Sequence, residues 1–366
     1  MGSYFSAKDL LAPPTERAAF SDRQAYVCAE LSKLAYFRFE GGHSLEQALE
    51  VARAVLGDDP RLTVMEAQLK LVLSSGRGSG IEAQAVLAKI LKAVDHELVK
   101  TFSNQGTQAF LCTREVKLDS GGSKKVAYLV FRGTEPCEFV DIKADVRAAL
   151  RKVDIGGEQC EMHTGYLEAL DLVREDIEAA LNETPHDQLI LTGHSLGGAL
   201  AMVATRLFAS DTTGACYTFG APPIGAIEVQ NRLKTPIYEI INETDIVPRL
   251  PNPWMTTAIV MLLRLVRLLA KSVTLLNTLL ARGTWDEQLE AFTESMTRYR
   301  HPGYVSYLVG TGREARLRIN VDSFDRFKWW LRIMWKQRFS GIAKMLNDHS
   351  IDLYITKLKT HARKRH

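Results

Sequence analysis

The residues best suited to chemistry in this chain lie in one short run, Gly193-His194-Ser195-Leu196-Gly197. Apolar Leu189-Ile190-Leu191 precedes the serine and Ala199-Leu200-Ala201 follows it, the composition of a tight turn that joins a strand to a helix. Such a turn forces the serine into strained backbone angles, and residues two positions either side must lack bulk so that strand and helix can approach. The hydroxyl is then held out at the C-terminal edge of a sheet, at the start of a helix. There the backbone N–H of Leu196 and the helix dipole stabilise a developing oxyanion. A bare Gly-x-Ser-x-Gly arises often by chance; the flanking strand, the helix and the extra Gly198 make this one specific.

A serine nucleophile needs a base and an acid that orients it, and chains with this kind of turn carry the acid and then the histidine downstream. The run Ile240–Pro251 places Asp245 just past a strand, and Asp245 is the expected acid; the neighbouring Glu243 is the alternative, read as a solvated loop charge. Four histidines follow Asp245. His361 and His366 lie in the basic tail Lys357–His366, which reads as a frayed end. His301, in Tyr299–Gly303, and His349, in Asn347–Tyr354, are the two remaining candidates for the base.

The elements that must position these groups alternate. Ala109–Thr113 and Val126–Phe131 are short apolar runs around a turn at Gly121-Gly122, which reads as a hairpin leading into a sheet. Further strands are expected at Leu189–Leu191, Cys216–Phe219, Ile237–Ile241, Val305–Val309 and Arg316–Ile319, with helices near 164–182 and 196–209. Alternation of this kind argues for an α/β sheet with parallel crossovers. Residues 21–98 are helical in pattern, with one stripe at Leu45, Leu49, Ala52 and Leu56 after a Ser44/Gln47 capping box and another at Leu87, Ile90, Leu91, Val94 and Leu98. The expected organisation is a helical region over 1–100 packed on a catalytic domain over 101–366, with helical insertions at 254–297 and 322–346.

Several blocks together resemble the class 3 lipase family, an α/β-hydrolase branch that includes triacylglycerol lipases and phospholipases. They are Phe131-Arg132-Gly133-Thr134, His163-Thr164-Gly165-Tyr166, the serine run Gly193–Ala201, Tyr217–Pro222, and Asn242–Pro251, in the family's order over about residues 100 to 255. The resemblance implies an α/β-hydrolase fold, a mostly parallel central sheet flanked by helices. It implies Thr134 as second oxyanion donor beside Leu196. It also implies His349 as base, because the turn His349–Tyr354 resembles the family's terminal histidine–tyrosine turn, whereas His301 resembles a non-catalytic block after the acid loop. By the same resemblance His194 points away from the chemistry, and His163 is read as structural. Two departures stand out. Pro223 replaces the arginine usual after the proline of the Tyr217–Pro222 block. Cys137–Leu150, where simple members carry a lid helix, is charged and poor in bulky apolar residues.

The activity so implied is hydrolysis of lipid acyl esters through an acyl-enzyme, with no cofactor and no metal; the alternatives are a carboxylesterase acting on short soluble esters and a catalytically silent lipid-surface protein. Two segments suit a lipid partner. Met255–Arg282 is nearly all aliphatic except for a stripe of Arg264, Arg267, Lys271, Thr274 and Thr278, an amphipathic helix rather than a membrane span, and is the candidate lid. Phe324–Leu346 mixes Trp329, Trp330 and Trp335 with an excess of cations, which suits either an anionic membrane surface or a cover helix with snorkelling basic residues.

Whole-chain figures show none of this. The 366 residues are 46 % hydrophobic and 24 % charged with a formal net charge of +3, which excludes a disordered tail protein, a collagen-like chain and a small disulfide scaffold and gives no reason to expect nucleic acid as the main partner. Five scattered cysteines, with no CxxC spacing, read as reduced structural thiols. The N-terminal residues lack a basic run followed by an apolar run, so no secretory signal peptide is expected. The expected place is the cytoplasm, a membrane or lipid-droplet periphery, or outside the cell by a non-classical route.

Overall fold

A computed structural model describes residues 4–13, 19–37, 80–118, 121–133, 150–155, 157–230, 233–249, 298–319, 321–322, 324–326, 328–329, 331–332 and 347–365. The Ser44–Leu56 stripe, Thr134, Cys137, the candidate lid Met255–Arg282 and most of 322–346 lie outside these residues.

Among the described residues there are ten strands: β1 (Glu97–Asn104), β2 (Thr107–Lys117), β3 (Ser123–Phe131), β4 (Leu150–Ile155), β5 (Glu158–His163), β6 (Gln188–His194), β7 (Thr213–Phe219), β8 (Ile237–Asn242), β9 (Tyr304–Val309) and β10 (Arg316–Ile319). Six helices are labelled here: α1 (Asp22–Leu34), α2 (Gly80–Lys92), α3 (Thr164–Asp171), α4 (Arg174–Glu183), α5 (Leu196–Leu207) and α6 (Ile351–Arg365). Eight strands form one sheet in the order β1-β2-β3-β6-β7-β8-β9-β10, while β4 and β5 pair as a separate hairpin. From β3 to β9 every neighbouring pair is parallel; β1, β2 and β10 add antiparallel edges. This mostly parallel sheet with helices on both faces is the α/β-hydrolase fold that the sequence implied.

Side-chain alternation explains the layering. In β3, Val126, Tyr128 and Val130 join one apolar cluster with α1 and α6, while Ala127, Leu129 and Phe131 join another with α3, α4 and α5. Both faces of the central strands are therefore buried, and such strands read as continuous apolar runs. The turn between β2 and β3 uses Gly121 (φ 92°) and Gly122 (φ 88°), as their pairing in the sequence predicted. Helical periodicity over 164–182 runs through a break that it did not reveal: Val173, at φ −124°, leaves helical geometry and starts α4.

The basic tail is not frayed. Residues 351–365 form α6, which buries Tyr354, Leu358 and Ala362 against the sheet-facing cluster, with Lys357 and His361 also buried. The N-terminal residues clamp it: Arg363 makes a two-pronged ion pair with Asp9 (2.9 and 2.7 Å), Arg365 pairs with Asp22 at 3.0 Å and Lys33 with Asp352 at 2.6 Å. Its charges were visible in the sequence, but the acidic partners come from more than 300 residues away.

Candidate active site

The parallel strands end at one edge of the sheet, where Ser195 and Asp245 each follow a strand end and His349 arrives from the turn before α6. Ser195 follows β6 with φ 58° and ψ −129°, a conformation that costs roughly 1–3 kcal/mol in an L-residue and is held by the packing around it. Its N–H donates to the Phe219 carbonyl at 2.9 Å. A Cβ on Gly193 would overlap the Gly197 backbone, and one on Gly197 would overlap the backbone where β3 exits at Phe131–Gly133. Gly198 has the same role toward Ala221, whose Cβ would lie 2.7 Å away. Leu196 begins α5, so its N–H has no carbonyl partner within the helix.

Asp245 follows β8 in a tight turn and is fully buried. Three donors hold its carboxylate: Val247 N–H on Oδ1 at 2.9 Å, with His349 Nδ1 at 2.7 Å and the Tyr354 hydroxyl at 2.6 Å on Oδ2. His349 reaches the site from the turn before α6, and its Nε2 lies 2.8 Å from Ser195 Oγ. The structure thus brings Ser195, His349 and Asp245 into one hydrogen-bonded line. Nδ1–H donates to the carboxylate, which leaves Nε2 free to accept from the serine O–H. Thr134 lies outside the described residues.

The alternatives are placed elsewhere. Glu243 is no solvated loop charge: it is only 13 % exposed, accepts from Gly310 N–H at 3.0 Å and sits 4.0 Å from the Lys357 ammonium. Lys357 also donates to Asn242 Oδ1 at 2.7 Å, so α6 ties down the strand end that leads to Asp245. His301 contacts the buried carboxylate of Glu239 at 2.5 Å and the Pro248 carbonyl at 2.7 Å, while Glu239 also accepts from Gly303 N–H. Burial alone disfavours the His301 imidazolium, but the Glu239 charge and these hydrogen bonds outweigh it and raise the pKa. His301 therefore braces the acid loop from behind. His163 donates its backbone N–H to Ile224, stacks on Tyr166 at 4.1 Å, and is pulled down to a pKa of about 4 by burial.

His194 corrects an expectation. It does not point away from the chemistry: its ring lies 4.6 Å from that of His349, and its Nε2 is 2.7 Å from the His349 carbonyl. The serine run marks this histidine only as a neighbour, because its partner is 155 positions away. Tyr354 and Tyr36 were also missed as site residues. Tyr354 stood inside the quoted histidine–tyrosine turn; nothing local marks Tyr36.

Cys28, Cys112, Cys160 and Cys216 are buried reduced thiols, and burial pushes the Cys28 thiol up to about 12. Phe324–Leu346 is described only in part: Trp329 is buried against Tyr307, whereas Phe324 is exposed with Lys328 over its ring.

Fold and site geometry define an α/β-hydrolase with a serine–histidine–aspartate line at the sheet's C-terminal edge. The chain matches the family described as lipase (class 3) over residues 128–255. It is similar to a secreted mono- and diacylglycerol lipase of Fusarium solani, 37 % identical over 100 residues that cover 25 % of this chain and 30 % of that one. A lipase of Rhizomucor miehei is 28 % identical over 171 residues, 43 % of this chain and 45 % of that one. A solved structure of the Rhizomucor miehei lipase with its propeptide aligns at a TM-score of 0.36 and 26 % identity, covering 44 % of this chain and 54 % of that one. The chain spans less than half the length of these two curated relatives.

Proposed function

We propose that the chain hydrolyses lipid acyl esters by a two-step acyl transfer at Ser195. One observation carries this reading: a serine in a strained strand-to-helix turn whose Oγ is 2.8 Å from a histidine that is itself held by a buried carboxylate. His349 Nε2 takes the serine proton as Oγ attacks the ester carbonyl, and Asp245 stabilises the imidazolium that forms. The oxyanion accepts from Leu196 N–H and, by family resemblance, from Thr134. Collapse expels the alcohol, which takes the proton from His349. Water, deprotonated by the same nitrogen, then attacks the acyl-enzyme and releases the fatty acid and free Ser195.

The substrate class rests on relatives named as acylglycerol lipases and on the amphipathic pattern of Met255–Arg282. The cationic stripe favours an anionic lipid surface, which brings phospholipid into the substrate panel.

A fluorophosphonate probe should label wild-type chain and the His301→Ala variant, but not Ser195→Ala or His349→Ala. Loss of labelling in His301→Ala with retention in His349→Ala would overturn the assignment of the base. A panel of p-nitrophenyl esters, phospholipid vesicles and emulsified triacylglycerol then sets the substrate class; turnover of short soluble esters alone would reject the lipid reading.

A further inference from the structure

Two hydrogen bonds, with Asp245 and Ser195, hold the ring of the base. Its backbone is held by a third. The His349 carbonyl lies 2.7 Å from His194 Nε2, and on the far side of that ring Nδ1 lies 2.7 Å from the Tyr36 hydroxyl. A carbonyl only accepts, so Nε2 must carry the His194 proton; a neutral imidazole has no second N–H, so Nδ1 accepts from Tyr36. His194 is buried, and burial together with the neighbouring His349 keeps its pKa well below the ordinary histidine value. A neutral ring at this place matters, because it lies 4.6 Å from the ring that becomes an imidazolium during acyl transfer.

Tyr36 is two residues beyond α1, in a part of the chain that precedes the matched family segment. It is well anchored. Lys33 pairs with Asp352, three residues after His349, and Ser32 Oγ lies 3.1 Å from Thr192 Oγ1, three residues before Ser195. The hydroxyl also crowds the exit of β3: a Cβ on Gly133 would come within 2.5 Å of it. One phenol oxygen thus touches the histidine that precedes the nucleophile and the glycine that precedes Thr134.

We propose that Tyr36 and His194 are positioning residues for the base: the chain Tyr36 O–H to His194 Nδ1, then His194 Nε2–H to the His349 carbonyl, sets the backbone of His349 so that its ring spans Asp245 and Ser195. The N-terminal helix is on this account part of the catalytic apparatus without touching substrate. The proposal rests on the acyl-transfer reading of Ser195.

The test compares Tyr36→Phe, His194→Leu and His194→Gln with wild type on a short soluble ester, with rates expressed per serine titrated by a fluorophosphonate probe so that misfolded chain is not counted. Tyr36→Phe removes one oxygen, and about a five- to tenfold fall in kcat with KM within about twofold is expected, the effect of one hydrogen bond. His194→Leu should fall further. His194→Gln, whose amide donates from near the place of Nε2, should recover a large part of that loss. Wild-type kcat per titrated serine in both Tyr36→Phe and His194→Leu overturns the proposal, as does a glutamine variant no better than the leucine one. If wild type itself neither labels nor turns over, the acyl-transfer reading fails and the positioning role falls with it; if wild type labels and the variants match it, only the positioning role fails.

Discussion

Gly220→Ala is a sharp probe of how tightly the site is assembled. Gly220 follows β7 with φ 59°, where an L-residue costs roughly 1–2 kcal/mol. A Cβ there would lie 2.8 Å from Asp245 Oδ2, 2.9 Å from the Tyr354 hydroxyl and 3.1 Å from His349 Cε1. None of these atoms is the free end of a flexible chain. The carboxylate is pinned by Val247, His349 and Tyr354, and the phenol oxygen by Asn242 N–H as well, so the methyl fits only if at least one charge-assisted hydrogen bond is stretched. Such a bond contributes about 1.5–3 kcal/mol, which with the backbone term gives a loss of about 2.5–5 kcal/mol in unfolding free energy. If the stretched bond is the one to His349, kcat/KM falls by about 10- to 100-fold, since each 1.4 kcal/mol is a factor of ten. Urea unfolding at neutral pH and ester kinetics per titrated serine measure the two effects. Gly122→Ala is the control: its φ is also positive, at 88°, but nothing lies within 4 Å, so it pays the backbone term alone and keeps full activity. Equal stability losses in the two variants would refute the packing argument, and unchanged kinetics in Gly220→Ala would place the stretched bond elsewhere than at His349.

Two further outcomes follow from the same geometry. Ser195→Gly and Ser195→Ala should both lose turnover, but the glycine variant should melt at least as high, because alanine keeps a Cβ in the φ 58° turn; calorimetry showing Ser195→Gly well below Ser195→Ala would contradict the strain. The raised pKa of His301 means that the fold favours its protonated form over the ordinary value of 6.5. Its contribution is therefore complete below that value and is lost as pH rises through the folded-state pKa. The stability gap between wild type and His301→Gln in urea should be wider at about pH 6 than at about pH 9; a gap that widens toward alkaline pH would reverse the sign.

Much of the candidate site is legible in the sequence, and for a local reason. The turn at Ser195 needs small residues two positions either side, so the glycines that permit it sit beside the nucleophile in the chain. The parallel strands are legible as short apolar runs because both faces of the sheet are buried, and the Gly121-Gly122 turn because positive φ selects its residues. Asp245 was readable from its place just past a strand. His349 was not readable from spacing alone; the family resemblance singled it out over His301, and the structure places it 2.8 Å from Ser195.

What the tertiary structure decided are the partners that lie far apart in sequence. His194 bonds across 155 positions, Tyr36 across 158, and the N-terminal acids reach the C-terminal helix across more than 300. That last set of contacts turns a basic tail, polar enough to read as frayed, into the helix that carries Tyr354 to Asp245. No local pattern records such pairs, because a tyrosine or lysine has the same propensity whether its partner is solvent or a carbonyl brought in by the fold. The sequence by itself determined the candidate serine and the class of turn that presents it. Only the packing of the two chain termini against the sheet decided what holds the base in line, since hydrogen-bond geometry is a property of distance in space and not along the chain.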